Sequence, residues 1–245
     1  GNGKGLVTFI TGGDPDLRTT SSLIVSLARN GADIVEVGVA FSDPTADGPV
    51  IQRASTRALK SGTTLAGVLD AVKQAKAIVE IPVVLMTYYN PVLQYGLGRF
   101  CHDACQSGVN GIIVPDLPYE ERMPLSEEAA SNQLDLIPMI APTSSPERIK
   151  KLCKSAQGFI YGVSINGVTG VRKAIDTDLE RLSHSVRQYT DLPLAIGFGV
   201  SGPSAAAQVA SYCDAVIVGS AIVELIEQGR YKDLEQLVRD LKQSL

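Results

Sequence analysis

Asp33-Ile34-Val35-Glu36-Val37-Gly38-Val39-Ala40-Phe41-Ser42-Asp43-Pro44-Thr45-Ala46-Asp47-Gly48-Pro49-Val50 moves from a β-branched apolar run, through a loop too rich in Pro, Asp and Gly for a helix, to the start of a new segment near Val50. The run Ile34–Val37 is continuously apolar apart from Glu36, as in a strand buried on both faces. The same unit recurs along the chain. Strands are expected at Leu6–Thr11, Ile34–Val37, Pro82–Met86, Gly111–Val114, Leu136–Met139, Phe159–Val163, Leu194–Gly197 and Ala215–Val218. Between them lie segments of helical spacing, among them Thr19–Asn30, where Leu23, Ile24, Leu27 and Ala28 form one stripe, then Leu65–Val79 and Ile175–Tyr189. Eight buried strands alternating with helices, with no linker or shift in composition, predict an α/β protein: one parallel, closed (βα)8 TIM barrel with outer helices, a single domain over residues 1–245. The rival is a doubly wound open sheet. Against it, Thr11-Gly12-Gly13-Asp14-Pro15 follows the first strand where a GxGxxG turn would be needed.

The bulk numbers agree with one large core. The chain has 245 residues, 44% of them hydrophobic, and a formal net charge of -4. No Lys/Arg run suggests a nucleic-acid surface. No apolar stretch approaches the roughly 20 residues of a membrane helix. Gly1-Asn2-Gly3-Lys4-Gly5 does not read as a signal peptide. A cytoplasmic protein is expected, or a stromal one if the source is a plant, with a natural terminus trimmed ahead of Gly1. Cys101, Cys105, Cys153 and Cys213 read as reduced thiols. Cys101 and Cys105 flank His102, but a structural zinc site wants four ligands and no second pair is in view. His102 and His184, the two histidines, fall in expected helices. No metal and no cofactor is expected.

Chemistry in such a barrel sits where strands end. The polar residues there are Thr11, Asp14, Glu36, Thr87-Tyr88-Tyr89-Asn90, Asp116, Thr143, Ser164, Asn166 and Ser220, with Gly197-Phe198-Gly199 and Gly219. Glu36 is either a carboxyl held as barrel packing or a general acid/base whose pKa burial has raised. Its place towards a strand's C-terminal end favours the second. Asp43 reads as a turn former before Pro44. Asp47, before Gly48-Pro49, is by itself equally a turn residue, a helix cap or a functional anion. Gly197-Phe198-Gly199 and Gly219-Ser220 each precede a helix-like stretch, Pro203–Ala210 and Ala221–Glu227. Such glycines either only make tight turns or let main-chain amides approach a phosphate.

The quoted stretch resembles the signature of the tryptophan synthase alpha-subunit family. Phe9-Ile10-Thr11-Gly12-Gly13-Asp14-Pro15, Met86-Thr87-Tyr88-Tyr89-Asn90-Pro91, Val114-Pro115-Asp116-Leu117-Pro118, Ser164-Ile165-Asn166-Gly167-Val168-Thr169-Gly170 and Gly197-Phe198-Gly199-Val200-Ser201 match in the same order. The resemblance implies retro-aldol cleavage of indole-3-glycerol phosphate to indole and glyceraldehyde 3-phosphate in tryptophan biosynthesis. It implies Glu36 as acid/base, Asp47 as its partner at the indole nitrogen, and Tyr161 as a tyrosine lining that site. It implies Phe9 and Tyr88 as pocket aromatics, and Thr169 in a mobile loop, Asn166–Lys173, that closes over the site. Gly170, Phe198, Gly199, Gly219 and Ser220 would hold the phosphate end. It also implies a PLP-dependent beta subunit as partner, in an alpha2beta2 tetramer. The implied substrate supplies an electron sink of its own: protonation at ring carbon C3 gives an indolenine, and cleavage then returns aromatic indole.

Three departures stand out. Ala40 and Thr8 occupy positions where the family usually has Pro, and the first leaves coupling to a beta partner open. The chain also begins where relatives carry an amphipathic helix under the barrel. Three rival functions remain: a stand-alone lyase without a beta partner, a sugar-phosphate isomerase barrel, and a barrel that only activates a beta subunit.

Overall fold

A computed structural model describes residues 3–163, 172–197 and 199–245. The strands are β1 (Gly5–Thr11), β2 (Ile34–Gly38), β3 (Val83–Met86), β4 (Gly111–Ile113), β5 (Asp135–Leu136), β6 (Met139–Ile140), β7 (Ile160–Val163), β8 (Leu194–Gly197) and β9 (Ala215–Val218). They form one sheet in the order β5-β4-β3-β2-β1-β9-β8-β7-β6, every pairing parallel. Around it run α1 (Leu17–Arg29), α2 (Pro49–Lys60), α3 (Leu65–Lys76), α4 (Tyr89–Tyr95), α5 (Leu97–Gln106), α6 (Met123–Ser131), α7 (Pro146–Lys154), α8 (Arg172–Arg187), α9 (Pro203–Ala210), α10 (Ser220–Glu227) and α11 (Tyr231–Gln243).

The sheet closes through the fifth expected strand, and there the sequence reading needs correction. Leu136–Met139 is not one strand but the junction of β5 and β6. Ile137 N still donates to Ile112 O of β4 (2.9 Å), whereas Pro138 O accepts from Tyr161 N of β7 (3.0 Å). The chain changes neighbours at Pro138, which has no N–H to give to a ladder. One interrupted strand thus bridges both ends of the open order, and eight strands make the barrel. The start of one helix also differs. α8 begins at Arg172 rather than Ile175, so Arg172 and Lys173 are helical and not loop. The rest of the expected lid, 166–171, lies outside the described residues.

Helix starts follow local chemistry. Asp16 Oδ1 accepts from Thr19 N (2.7 Å) to cap α1, and Thr64 Oγ1 accepts from Gly67 N (3.1 Å) to cap α3. Ser145 caps α7, with Pro146 at its first position.

Side chains alternate along each strand. In β1, Leu6 and Ile10 pack outwards against the helices, while Val7 and Phe9 turn inwards. The outward layer holds most of the apolar core. Full burial of each Leu or Ile there contributes about 1.5–3 kcal/mol. The inward layer, Val7, Val84, Ile113, Ile137, Phe159, Ala195 and Ile217, fills the barrel. Both faces being apolar explains why the strands read as continuous hydrophobic runs. No helix among the described residues is long and apolar enough to cross a membrane.

Candidate active site

One cavity of about 180 Å³ opens at the C-terminal ends of the strands. Inward parity brings Phe9 of β1, Glu36 of β2, Met86 of β3 and Tyr161 of β7 into its wall. Asp47 and Gly48 enter from the loop before α2, and Gly199, Gly219 and Ser220 from the turns after β8 and β9. Thus Phe9, Glu36, Asp47, Tyr161, Gly199, Gly219 and Ser220 share one cavity. Thr169, Gly170 and Phe198 lie outside the described residues, as do Ser164 and Asn166.

Glu36 sits opposite Phe9 in one ladder and Val84 in the other. Its side is 1% exposed, and neither carboxyl oxygen has a hydrogen-bond partner among the described residues. Removal from water, then repulsion from Asp47, raises its pKa from 4.5 to about 8. Glu36 is therefore largely protonated at neutral pH, which satisfies neither oxygen but removes the cost of a bare buried charge. Its sensitivity to Asp47 puts the two carboxyls within electrostatic reach.

Asp47 is half-buried. Burial raises its pKa, and a hydrogen bond from Tyr88 opposes that rise. It is not the cap of α2: that position is Gly48, with no side-chain cap bond. Its main-chain oxygen accepts from Gln52 Nε2 (2.8 Å) and its N–H donates to Pro44 O (3.1 Å), which leaves the carboxylate to Tyr88 and the cavity. Asp43 behaves as the turn former it resembled, accepting from Ser42 Oγ (2.6 Å) at an exposed position.

Tyr88 does not line the main cavity. It stands behind Asp47, where its Oη accepts from Ala46 N (2.9 Å) and donates to the Asp47 carboxylate. Burial and that anion push its pKa up to about 12, so it stays a donor. Its ring lies 5.2 Å from Phe41, centroid to centroid. Tyr161 is buried, and burial together with Glu36 and Asp47 holds its phenol well above the ordinary range.

Two glycines make room. A Cβ on Gly38 would stand 2.6 Å from Phe9 Cζ, and one on Gly197 would stand 3.1 Å from Tyr161 Oη. Also in the wall, Ser220 opens α10, and the first amides of a helix have no acceptor within it.

Sequence reasoning missed Met86, Met139, Pro115 and Ile51 in the wall. Met86 lies two residues beyond inward-facing Val84, so period-two parity would have found it. It also missed an ion-pair chain behind the site. Arg57 of α2 grips Asp14 with Nε and Nη2 (both 2.8 Å) and Glu227 of α10 with Nη1 (2.7 Å). Asp116 accepts from Tyr89 N (2.9 Å) and holds the start of α4. Among the described residues, no group of three His, Cys, Asp or Glu could hold a metal, and the four cysteines are free.

A polar-tipped cavity at the carboxyl ends of a closed parallel sheet is where (βα)8-barrel enzymes work. The family model described as tryptophan synthase alpha chain matches residues 1–245. Relatives of that name include one from Microcystis aeruginosa, 48% identical over 98% of this chain and 93% of its own. Another, from Geobacter sulfurreducens, is 50% identical over 92% and 85%. Among solved structures, Mycobacterium tuberculosis tryptophan synthase in space group F222 matches with TM-score 0.92 and 37% identity, over 99% of this chain and 93% of that one. The chain belongs to the tryptophan synthase alpha chain family. It is a lyase of tryptophan biosynthesis.

Proposed function

We propose that the chain cleaves indole-3-glycerol phosphate by a retro-aldol reaction in which Glu36 moves the protons and Asp47 supplies the anion. The observation that carries this reading is the cavity joining a protonated Glu36, unpartnered among the described residues, to Asp47, with Ser220 at the start of a helix in the same wall.

In this mechanism the indole ring lies among Met86, Met139 and Tyr161, and its phosphate on the main-chain amides near Gly199 and Ser220. Protonated Glu36 gives its proton to ring carbon C3. The positive charge that spreads to N1–H is stabilised by Asp47. The Glu36 carboxylate then takes the proton of the glycerol hydroxyl next to the ring. The C3–carbon bond breaks, its electrons restore the aromatic ring, and the hydroxyl carbon becomes the aldehyde of glyceraldehyde 3-phosphate. Glu36 ends protonated, ready for another turnover. Tyr88 acts as a positioning residue: it fixes Asp47 and the loop at Ala46 together.

The partner in this reading is a PLP-dependent beta subunit that consumes the indole, in an alpha2beta2 tetramer. The test is indole release from indole-3-glycerol phosphate by the purified chain, with and without beta subunit. Turnover is expected alone and faster with the partner. Glu36→Gln and Asp47→Asn should each lower it at least ~10²-fold while the chain stays folded. Near-full activity in a folded Glu36→Gln protein would sink the mechanism.

A further inference from the structure

Beside the candidate active site lies a second cavity, of about 110 Å³, on the flank formed by the loop after β4, the β5–β6 junction and α7. Two of its lining residues, Pro115 and Met139, also line the first cavity. Most of its wall is apolar, as at Leu117, Leu136 and Leu152, but Arg122 and Arg148 are set into it.

Arg122 is the anomaly. It precedes α6 and is 7% exposed. A buried guanidinium normally meets a carboxylate, because an uncompensated charge costs several kcal/mol. Here Nη2 donates to Leu136 O at 3.3 Å and Nη1 reaches Ser155 Oγ at 3.5 Å, both long and both to neutral acceptors. The guanidinium carbon lies 5.8 Å from the centroid of the Tyr119 ring. Among the described residues Arg122 makes no salt bridge. Five donors thus serve two weak acceptors. Arg148 adds a second cation at the rim. It shares Glu120 through a single nitrogen, 3.4 Å from each oxygen, on the exposed side. Counting Arg122, Arg148 and Glu120, the cavity carries one positive charge in excess.

We infer that this cavity is an accessory binding site for a small aliphatic carboxylate. The carboxylate would take the free N–H groups of Arg122 in the bidentate fashion that guanidinium favours, with help from Arg148. Its hydrocarbon part would lie against Leu117, Leu136 and Leu152. An apolar cavity of ~150 Å³ holds benzene, so this one suits a branched chain of about four or five carbons. An occupant would bear on Pro115 and Met139 from behind and narrow the neighbouring cavity. Its effect on substrate affinity rests on the function proposed above; its binding does not.

The test is calorimetric titration of the full chain with 3-methylbutanoate, with 3-methylbutanamide and inorganic phosphate as comparisons. The carboxylate should bind at one site in the range of ~1 mM, as its few heavy atoms allow. Its neutral amide should bind at least tenfold more weakly. Arg122→Leu should abolish saturable binding, and Arg148→Ala should weaken it about threefold to tenfold. If Arg122→Leu does not fold, the Arg148→Ala titration and the amide comparison decide. With substrate, 3-methylbutanoate should raise KM for the wild type and leave kcat within twofold, and Arg148→Ala should blunt the rise. Equal binding of acid and amide, or binding untouched by both substitutions, overturns the site. So does phosphate binding more tightly than the carboxylate. Binding without a KM change leaves the site standing and removes only its link to the substrate cavity.

Discussion

Glu36 sets the pH behaviour. Its folded pKa, about 8, lies above its ordinary 4.5. Below about 4.5 both folded and unfolded chains hold the proton. Between the two values only the folded chain does, so this group's contribution is lost as pH rises, at about 1.4 kcal/mol per pH unit. Gln in its place does not titrate. The stability of Glu36→Gln relative to wild type should therefore grow from pH 5 to pH 8 and then level off, as measured by urea unfolding. A difference independent of pH would mean that Glu36 is not held neutral. Activity runs on the same proton: kcat/KM should fall about tenfold per unit above pH 8, where the free enzyme loses its acid. Tyr88→Phe removes both the acceptor for Ala46 N–H and the donor to Asp47. At about 1–2 kcal/mol for such bonds, kcat/KM should drop roughly tenfold. Because that donor opposes the rise in the Asp47 pKa, the acidic limb of the profile should also move to higher pH. Glu36 was legible in the sequence because a carboxyl inside an apolar strand has few explanations. Asp47 was not legible by itself, because Asp before Gly-Pro is common turn chemistry, and only the resemblance to a family gave it a role.

At the scale of elements, the substrate-side loops hang on α2. Arg57 joins the turn after β1, through Asp14, to α10, through Glu227. Asp14 is 2% exposed, and Arg57 is the cation that meets its carboxylate. Arg57 keeps 29% of its side chain in solvent and a second carboxylate, which softens its own loss of a partner. Asp14→Ala should therefore cost roughly 2–3 kcal/mol in chemical denaturation, less than a fully buried pair. Arg57→Ala strands Asp14 in the interior and should cost more. The reverse order would mean that the Glu227 bond dominates. No local pattern announces this link, since Asp14 and Glu227 lie 43 and 170 residues from Arg57. Strands and helices were legible because apolar runs and stripes are local. The break at Pro138 could have been foreseen, because a proline inside a strand removes a ladder donor.

Across the whole molecule, the barrel separates what holds it together from what it does, by depth. Val7 and Ile113 lie inside it and line neither the cavity at the C-terminal ends of the strands nor the one of about 240 Å³ at their N-terminal ends. They form a plug between two openings. Ile113 is fully buried, and cutting it to Ala removes packing that neighbours on a closed sheet cannot easily restore, since closure fixes their spacing. Ile113→Ala should cost about 2–5 kcal/mol in urea unfolding, yet change kcat/KM by less than about threefold, because no lining residue of the substrate cavity is altered. Met86, the register partner of Ile113 on the neighbouring strand, is half-buried in the cavity wall. Met86→Ala enlarges a space that is already open, so its stability cost should be about 1–2 kcal/mol, below the range for a fully enclosed site. Its effect on kcat/KM should be the larger of the two, at roughly tenfold or more, because the lost contacts are those expected to grip the ring. The pair forms a crossed comparison at one register position of neighbouring strands, β3 and β4, one side chain enclosed and the other open to the cavity. If both substitutions lower stability and activity in the same proportion, the plug and the site are one mechanical unit, and the separation by depth fails.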